Sequence, residues 1–88
     1  DAADYLKSDE AVAAYLDAVM DDSPGDAGAL AKALGTVARA RNMSQLARDT
    51  GLSREGLLRA LSASGNPSLA TLLKVAQALG LKLRFAPG

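Results

Sequence analysis

Apolar residues recur along this chain with two periods, and the change of period divides it. Between Ser8 and Asp22, Val12, Tyr15, Leu16 and Val19 follow at helical spacing. Ser8 is a capping residue type, and Asp9 and Glu10 put negative charge in the first turn, where the positive helix end favours it. The segment "DDSPGD" breaks the pattern. Ser23 followed by Pro24 predicts the start of a second helix. Leu30, Leu34, Val37 and Ala38 form its stripe, with Arg39 and Arg41 near its negative end. Gly28 and Gly35 each weaken such a helix by roughly 1 kcal/mol relative to alanine, so close packing of a neighbour is one explanation for Gly35.

Ser44 is the predicted cap of a short third helix ending at Thr50, and Gly51 suits the left-handed residue that closes it. Ser53 caps a fourth helix, with Glu55 in its first turn, running to about Ser62. "SASGNPS" is a loop by composition. Ser68 starts a fifth helix, with Leu69, Leu72, Leu73, Ala76 and Leu79 on one face and Gly80 at its end. The period then changes: Leu81, Leu83 and Phe85 alternate with Lys82 and Arg84, which predicts a strand over 81–86. A lone strand leaves its edges unpaired. Residues 1–7 are the other candidate partner but are poor in β-branched types. Pairing between two copies of 81–86 is favoured, making Leu81, Leu83 and Phe85 candidate dimerisation residues. The expected architecture is all-α, five helices with a short C-terminal β-strand. It forms one domain over 1–88: an acidic helix at 8–22, a helix-turn-helix core at 23–80 and a dimerisation strand at 81–86.

The 88 residues suffice for one domain. A chain this size buries only about 60–65% of its unfolded surface, so its own stability is modest and a dimer would add burial. The core must come from Leu, Ala and Val, because only Tyr5, Tyr15 and Phe85 are aromatic. Without cysteine there is no disulfide or thiolate metal site, and without histidine the usual general base and commonest metal ligand are missing. No apolar run reaches the roughly 18 residues of a membrane span and no signal-peptide pattern is present, so the expectation is a cytoplasmic protein without a membrane partner. The first residue is not methionine, as expected of a trimmed product.

The formal charge of zero conceals a division. Residues 1–30 carry eight acids against Lys7, net −7, while residues 31–88 carry nine bases against Asp49 and Glu55, net +7. That asymmetry suggests two surfaces with different partners; the bland alternative is two solvated faces that attract each other.

The basic half holds the informative stretch, "MSQLARDTGLSREGLLRAL". A helix pair joined by a short turn containing glycine is the helix-turn-helix pattern. Ala47 permits a close crossing. Leu46, Leu52, Leu57 and Leu61 are spaced to share a core, which leaves Ser53, Arg54, Glu55, Leu58 and Arg59 outward. A helix fits the DNA major groove with its N-terminal residues at the base edges. Arg54 is suited to guanine O6 and N7. Glu55 is suited either to cytosine N4 or to holding Arg54. Ser53 suits phosphate or base. Ser44, Gln45, Ser62, Ser64 and Asn66, with backbone amides at helix starts, are candidates for phosphate contact or positioning, and Arg48 and Arg59 add charge. The bland alternative is two packed helices of an ordinary all-α domain.

Catalysis finds little support. The adjacent pairs Asp9-Glu10 and Asp21-Asp22 point about 100° apart on a helix and form no facing dyad. The serines have no histidine to activate them. "GDAGALAKALG" lacks the strand and the GK[ST] of a phosphate loop. No carboxylate cluster suggests a metal. The expectation is a binding protein with no catalytic residues, cofactor or metal.

The segment "SQLARDTGLSREGLLRALSASGNPSLATLLKVAQALGLKL" resembles the lambda-repressor-like, Xre-type helix-turn-helix domain. The shared features are Gln45, Leu46-Ala47, Gly51, Leu52-Ser53, Gly65-Asn66-Pro67-Ser68 and "LLKVAQALG". The whole chain is similar to the probable addiction-module antidote proteins, a HigA-like group, through "DAADYL", "DEAVAAYL", "LGTVARARNMSQLARDTGLSREGL" and "GNPSLATLLKVAQALGLKL". The resemblance implies a type II antitoxin. Such a protein neutralises a small basic ribonuclease toxin of the RelE/HigB-like class and, as a homodimer, represses its own operon at a palindromic operator. The position before Arg59, associated with tyrosine in this group, is Leu58 here, which removes an aromatic DNA contact. With a basic toxin as partner, the acidic segment acquires a use in steering, and Asp17, Asp21, Asp22 and Asp26 are candidate toxin-binding residues. The alternatives are a free-standing phage-type repressor and a protein-interaction module that does not bind DNA.

Overall fold

A computed structural model describes residues 7–87. They form five helices: α1 (Asp9–Asp22), α2 (Ala27–Ala40), α3 (Met43–Thr50), α4 (Arg54–Ala60) and α5 (Leu69–Ala78). Three starts follow the expected caps. The hydroxyls of Ser8, Ser53 and Ser68 accept from the amides of Ala11, Gly56 and Thr71, satisfying donors that the first turn leaves open.

Two starts differ from expectation. Ser23 closes α1, its amide donating to the Val19 carbonyl, and Pro24 and Gly25 lie in the turn that follows. Gly25 has φ +77°, a conformation glycine adopts without a Cβ penalty. The chain therefore enters α2 later, at Asp26, whose carboxylate accepts from Ala29 at 3.0 Å. Likewise α3 is capped by Asn42, whose side-chain oxygen accepts from Gln45 at 3.1 Å, and not by Ser44. Starting there puts Met43 inside the helix, where it is buried beside Leu46, and leaves Ser44 exposed in the first turn.

The core gathers Val12 of α1, Leu34, Val37 and Ala38 of α2, Met43 and Leu46 of α3, Leu57 and Leu61 at α4, and Val75 and Leu79 at α5. Each full burial of such a side chain is worth about 1.5–3 kcal/mol, enough to hold helices too short to persist alone. The inward stripe of α5 is Leu72, Val75, Ala76 and Leu79. Leu69 and Leu73, expected to share it, are 65% and 45% exposed because the buried face centres on Val75.

Helix α1 packs on α2, α2 on α3, and α3 on both α4 and α5. Gly35 has a packing reason: a Cβ there would overlap the carbonyl oxygen of Leu61, where α4 ends. One on Gly28 would lie 2.6 Å from the carbonyl oxygen of Ala63. These two glycines let the exit of α4 lie directly on α2. The radius of gyration, 12.0 Å, is the value of about 12 Å expected for a compact chain of this length.

The expected strand over 81–86 is absent among the described residues. A strand exists by its ladder, and none of the described segments forms one with it; the N-terminal alternative falls mostly outside the described residues. The start of the segment is committed elsewhere. The amide of Leu81 donates to the Ala76 carbonyl and that of Gly80 to Gln77, the paired closure that seals a helix through a left-handed glycine. The Leu81 side chain packs against the core.

Candidate nucleic-acid interface

Helices α3 and α4 are separated by Gly51, Leu52 and Ser53. The buried Thr50 hydroxyl donates to the carbonyls of Leu46 and Ala47 at 2.8 and 3.2 Å, fixing the last turn of α3 without an orphaned polar group. Gly51, at φ +74°, then turns the chain. Leu52 packs against the core, and Ser53 caps the next helix at once. Leu57 and Leu61 anchor α4 from below, at 0% and 1% exposure. With that face fixed, Ser53, Arg54, Glu55, Leu58 and Arg59 are all exposed.

Arg54 and Glu55 make no hydrogen bond or ion pair among the described residues, so Glu55 does not hold Arg54 in this structure. Gln45 behaves differently. Its amide nitrogen donates to Asp49 at 2.8 Å, and its oxygen accepts from Arg48 at 2.7 Å. A polar chain of three side chains thus runs along the outer face of α3. It restrains Arg48 and occupies the groups with which Gln45 would meet a phosphate. The Ser62 hydroxyl donates back to the Arg59 carbonyl at 2.9 Å and lies 3.4 Å from that of Ser64. Ser64 and Asn66 are exposed in the loop before α5. The sequence-predicted residues thus lie on three consecutive segments, Ser44 and Gln45 on α3, the α4 set on the helix that packs against it, and Ser62, Ser64 and Asn66 in the loop that follows.

The family model described as "Probable addiction module antidote protein" matches residues 1–87. The chain belongs to this family. It is also similar to a protein of Haemophilus influenzae, described as "Uncharacterized protein", at 48% identity over 84 residues, spanning 96% of this chain and 84% of that one. No solved structure matches it. An antidote acts within a toxin–antitoxin module, and membership implies a cognate toxin as partner.

In this antidote the acids considered for that partner all lie between the middle of α1 and the start of α2. Asp17, Asp21 and Asp22 are exposed along the second half of α1, and Asp26, also exposed, caps α2 across the turn. Asp9 is set apart: it is ion-paired at 3.0 Å with Arg41, tying the start of α1 to the end of α2. Of the three residues considered for dimerisation, Leu81 belongs to its own core, Leu83 is 45% exposed and Phe85 is 97% exposed.

Sequence reasoning missed a groove of about 450 Å³ between α1, α2, α5 and residues 81–84, because no single element's periodicity encodes it. Its one forewarning was the leftover apolar alternation of the tail. No helix among the described residues is long and apolar enough to cross a membrane.

Proposed function

We propose that α3, its glycine turn and α4 form a lambda-repressor-like, Xre-type helix-turn-helix, and that the chain is a HigA-like antitoxin. Residues 23–80 are the DNA-binding core of a single domain over 1–88. In this reading α4 enters the major groove as a homodimer reads a palindromic operator in its own promoter. The protein also neutralises a RelE/HigB-like ribonuclease toxin. It works in the cytoplasm by binding alone, without catalysis.

The observation that carries the DNA-binding part is Arg54. It stands exposed, without a partner among the described residues, at the start of a helix whose opposite face is locked into the core by Leu57 and Leu61. A free guanidinium in that position is suited to the paired acceptors of guanine. Arg48 and Arg59 supply charge for the flanking phosphates. Leu58, 38% exposed, is suited to a thymine methyl in place of an aromatic contact. Family membership favours the toxin-linked reading over a free-standing repressor.

The test is a titration of a fragment from upstream of the gene, against a scrambled control, at two salt concentrations. The expected result is specific binding that weakens with salt and is reduced by Arg54→Ala. Equal binding of both fragments, or indifference to Arg54→Ala, overturns the recognition role of α4 and favours a protein-interaction module.

A further inference from the structure

Three exposed side chains of α3 are joined in line. The carboxylate of Asp49 accepts from the Gln45 amide nitrogen at 2.8 Å, and the Gln45 carbonyl accepts from Nη2 of Arg48 at 2.7 Å. Spacings of three and four residues bring these groups together on one helix face. Asp49 and Glu55 are the two acids after residue 30. An acid beside a DNA-binding helix pair repels phosphates, so charge alone gives no reason for Asp49 to stand there. Among the described residues it forms no ion pair with its neighbour Arg48. It forms none with Lys74 either, which lines the same hollow between α3 and α5. Its bond goes to the neutral Gln45 instead.

We infer that Asp49 is a positioning residue for DNA binding, which acts through Gln45 to hold Arg48 ready for a backbone phosphate. A carboxylate only accepts hydrogen bonds, so it fixes which end of the Gln45 amide faces it. The NH2 group turns to Asp49, and the carbonyl is left for Arg48. A guanidinium carries five N–H donors, so one bond to Gln45 leaves the rest for a phosphate. A direct fork onto a carboxylate would occupy two of them and cancel the charge that a phosphate meets. Gln45 is thus a neutral spacer: it transmits orientation from the acid and leaves the arginine charge unspent. Arg48 stands where the chain turns towards α4, its carbonyl accepting from the Gly51 amide at 3.3 Å. In helix-turn-helix docking the first helix crosses the DNA backbone while the second enters the groove, which makes α3 the helix to carry a phosphate ligand. Holding that side chain beforehand removes part of the ordering cost that a free arginine brings to binding. The inference rests on the DNA-binding reading above and adds a residue to it.

The experiment titrates the full chain on the upstream fragment at several salt concentrations, well below the melting temperature of each variant. Asp49→Ala is expected to weaken binding by about threefold or more and to make the salt dependence shallower by about one counterion, as loss of one phosphate contact does. Removal of charge by itself has the opposite sign, because deleting an acid near DNA tightens binding. Asp49→Asn keeps an oxygen for Gln45 and drops the charge, so it should bind at least as well as wild type with the wild-type salt slope. Once Arg48→Ala has removed the phosphate ligand, adding Asp49→Ala should weaken binding no further. An Asp49→Ala protein that binds as tightly as wild type or more tightly, at unchanged slope, overturns the inference and leaves the three side chains as a surface staple of α3. Further weakening on the Arg48→Ala background overturns it as well. A wild type that binds neither the upstream nor the scrambled fragment overturns the DNA-binding reading and this inference together, whereas specific binding indifferent to Asp49→Ala overturns this inference alone.

Discussion

At the scale of the residue, the same amino acid type does opposite work in different surroundings. Arg41 is spent on Asp9 and holds two helices together, whereas Arg54 has no partner among the described residues. Removing Arg54 should therefore leave the fold unchanged and cost about 1–3 kcal/mol of operator discrimination, read as the ratio of specific to scrambled affinity. Removing Arg41 should lower stability first. Gly35 supplies a sharper structural contrast. A methyl group there meets the Leu61 backbone, which cannot swing aside as a side chain could. Gly35→Ala should destabilise by about 1–3 kcal/mol in urea unfolding, despite alanine's better helix propensity. A neutral or stabilising result would mean that α4 does not lie against α2 as described.

At the scale of the element, helix boundaries separate what the sequence encodes locally from what packing decides. Ser8, Ser53, Ser68 and Gly51 are legible because each stands directly before the apolar period of its helix or directly after it. At the two misread starts there were rivals. Asp26 competes with Ser23, and the turn at Gly25 settles it by directing the chain past Pro24 before a helix can begin. Asn42 competes with Ser44, and burial of Met43 settles it, a tertiary gain that no capping rule contains. Asn42→Ala should therefore cost about 1 kcal/mol in thermal or urea unfolding, while Ser44→Ala should change stability by no more than a few tenths. The reverse order would restore the cap expected from the sequence. The tail differs for another reason: alternation reports which side chains share a face, but a strand also needs a neighbour, and no described segment pairs with residues 81–86. The exposed face of α4 was legible because Leu57 and Leu61 fix its rotation. The groove was not, because three helices and the tail build it jointly.

At the scale of the whole molecule, the acidic part of the sequence keeps its character: acids mark α1 and the turn after it, whereas α3 and α4 carry Arg48, Arg54 and Arg59 against Asp49 and Glu55. Asp21 and Asp22 sit at the negative end of α1, where acids oppose the helix dipole and no base offsets them in the last turn. Each such placement costs about 0.3–1 kcal/mol at low salt. If these acids serve to attract a toxin, stability and function should move in opposite directions when they are neutralised. Replacing Asp17, Asp21, Asp22 and Asp26 by asparagine keeps side chains of the same size, and at position 26 keeps a capping oxygen. The variant should melt at the same temperature or higher. Its association rate with the cognate toxin should fall by about tenfold or more at low salt, and the salt dependence of that rate should flatten. Stopped-flow association at several ionic strengths, beside a melting curve, reads both. An unchanged rate with raised stability would place the toxin elsewhere and leave the acids of α1 without a role in that encounter.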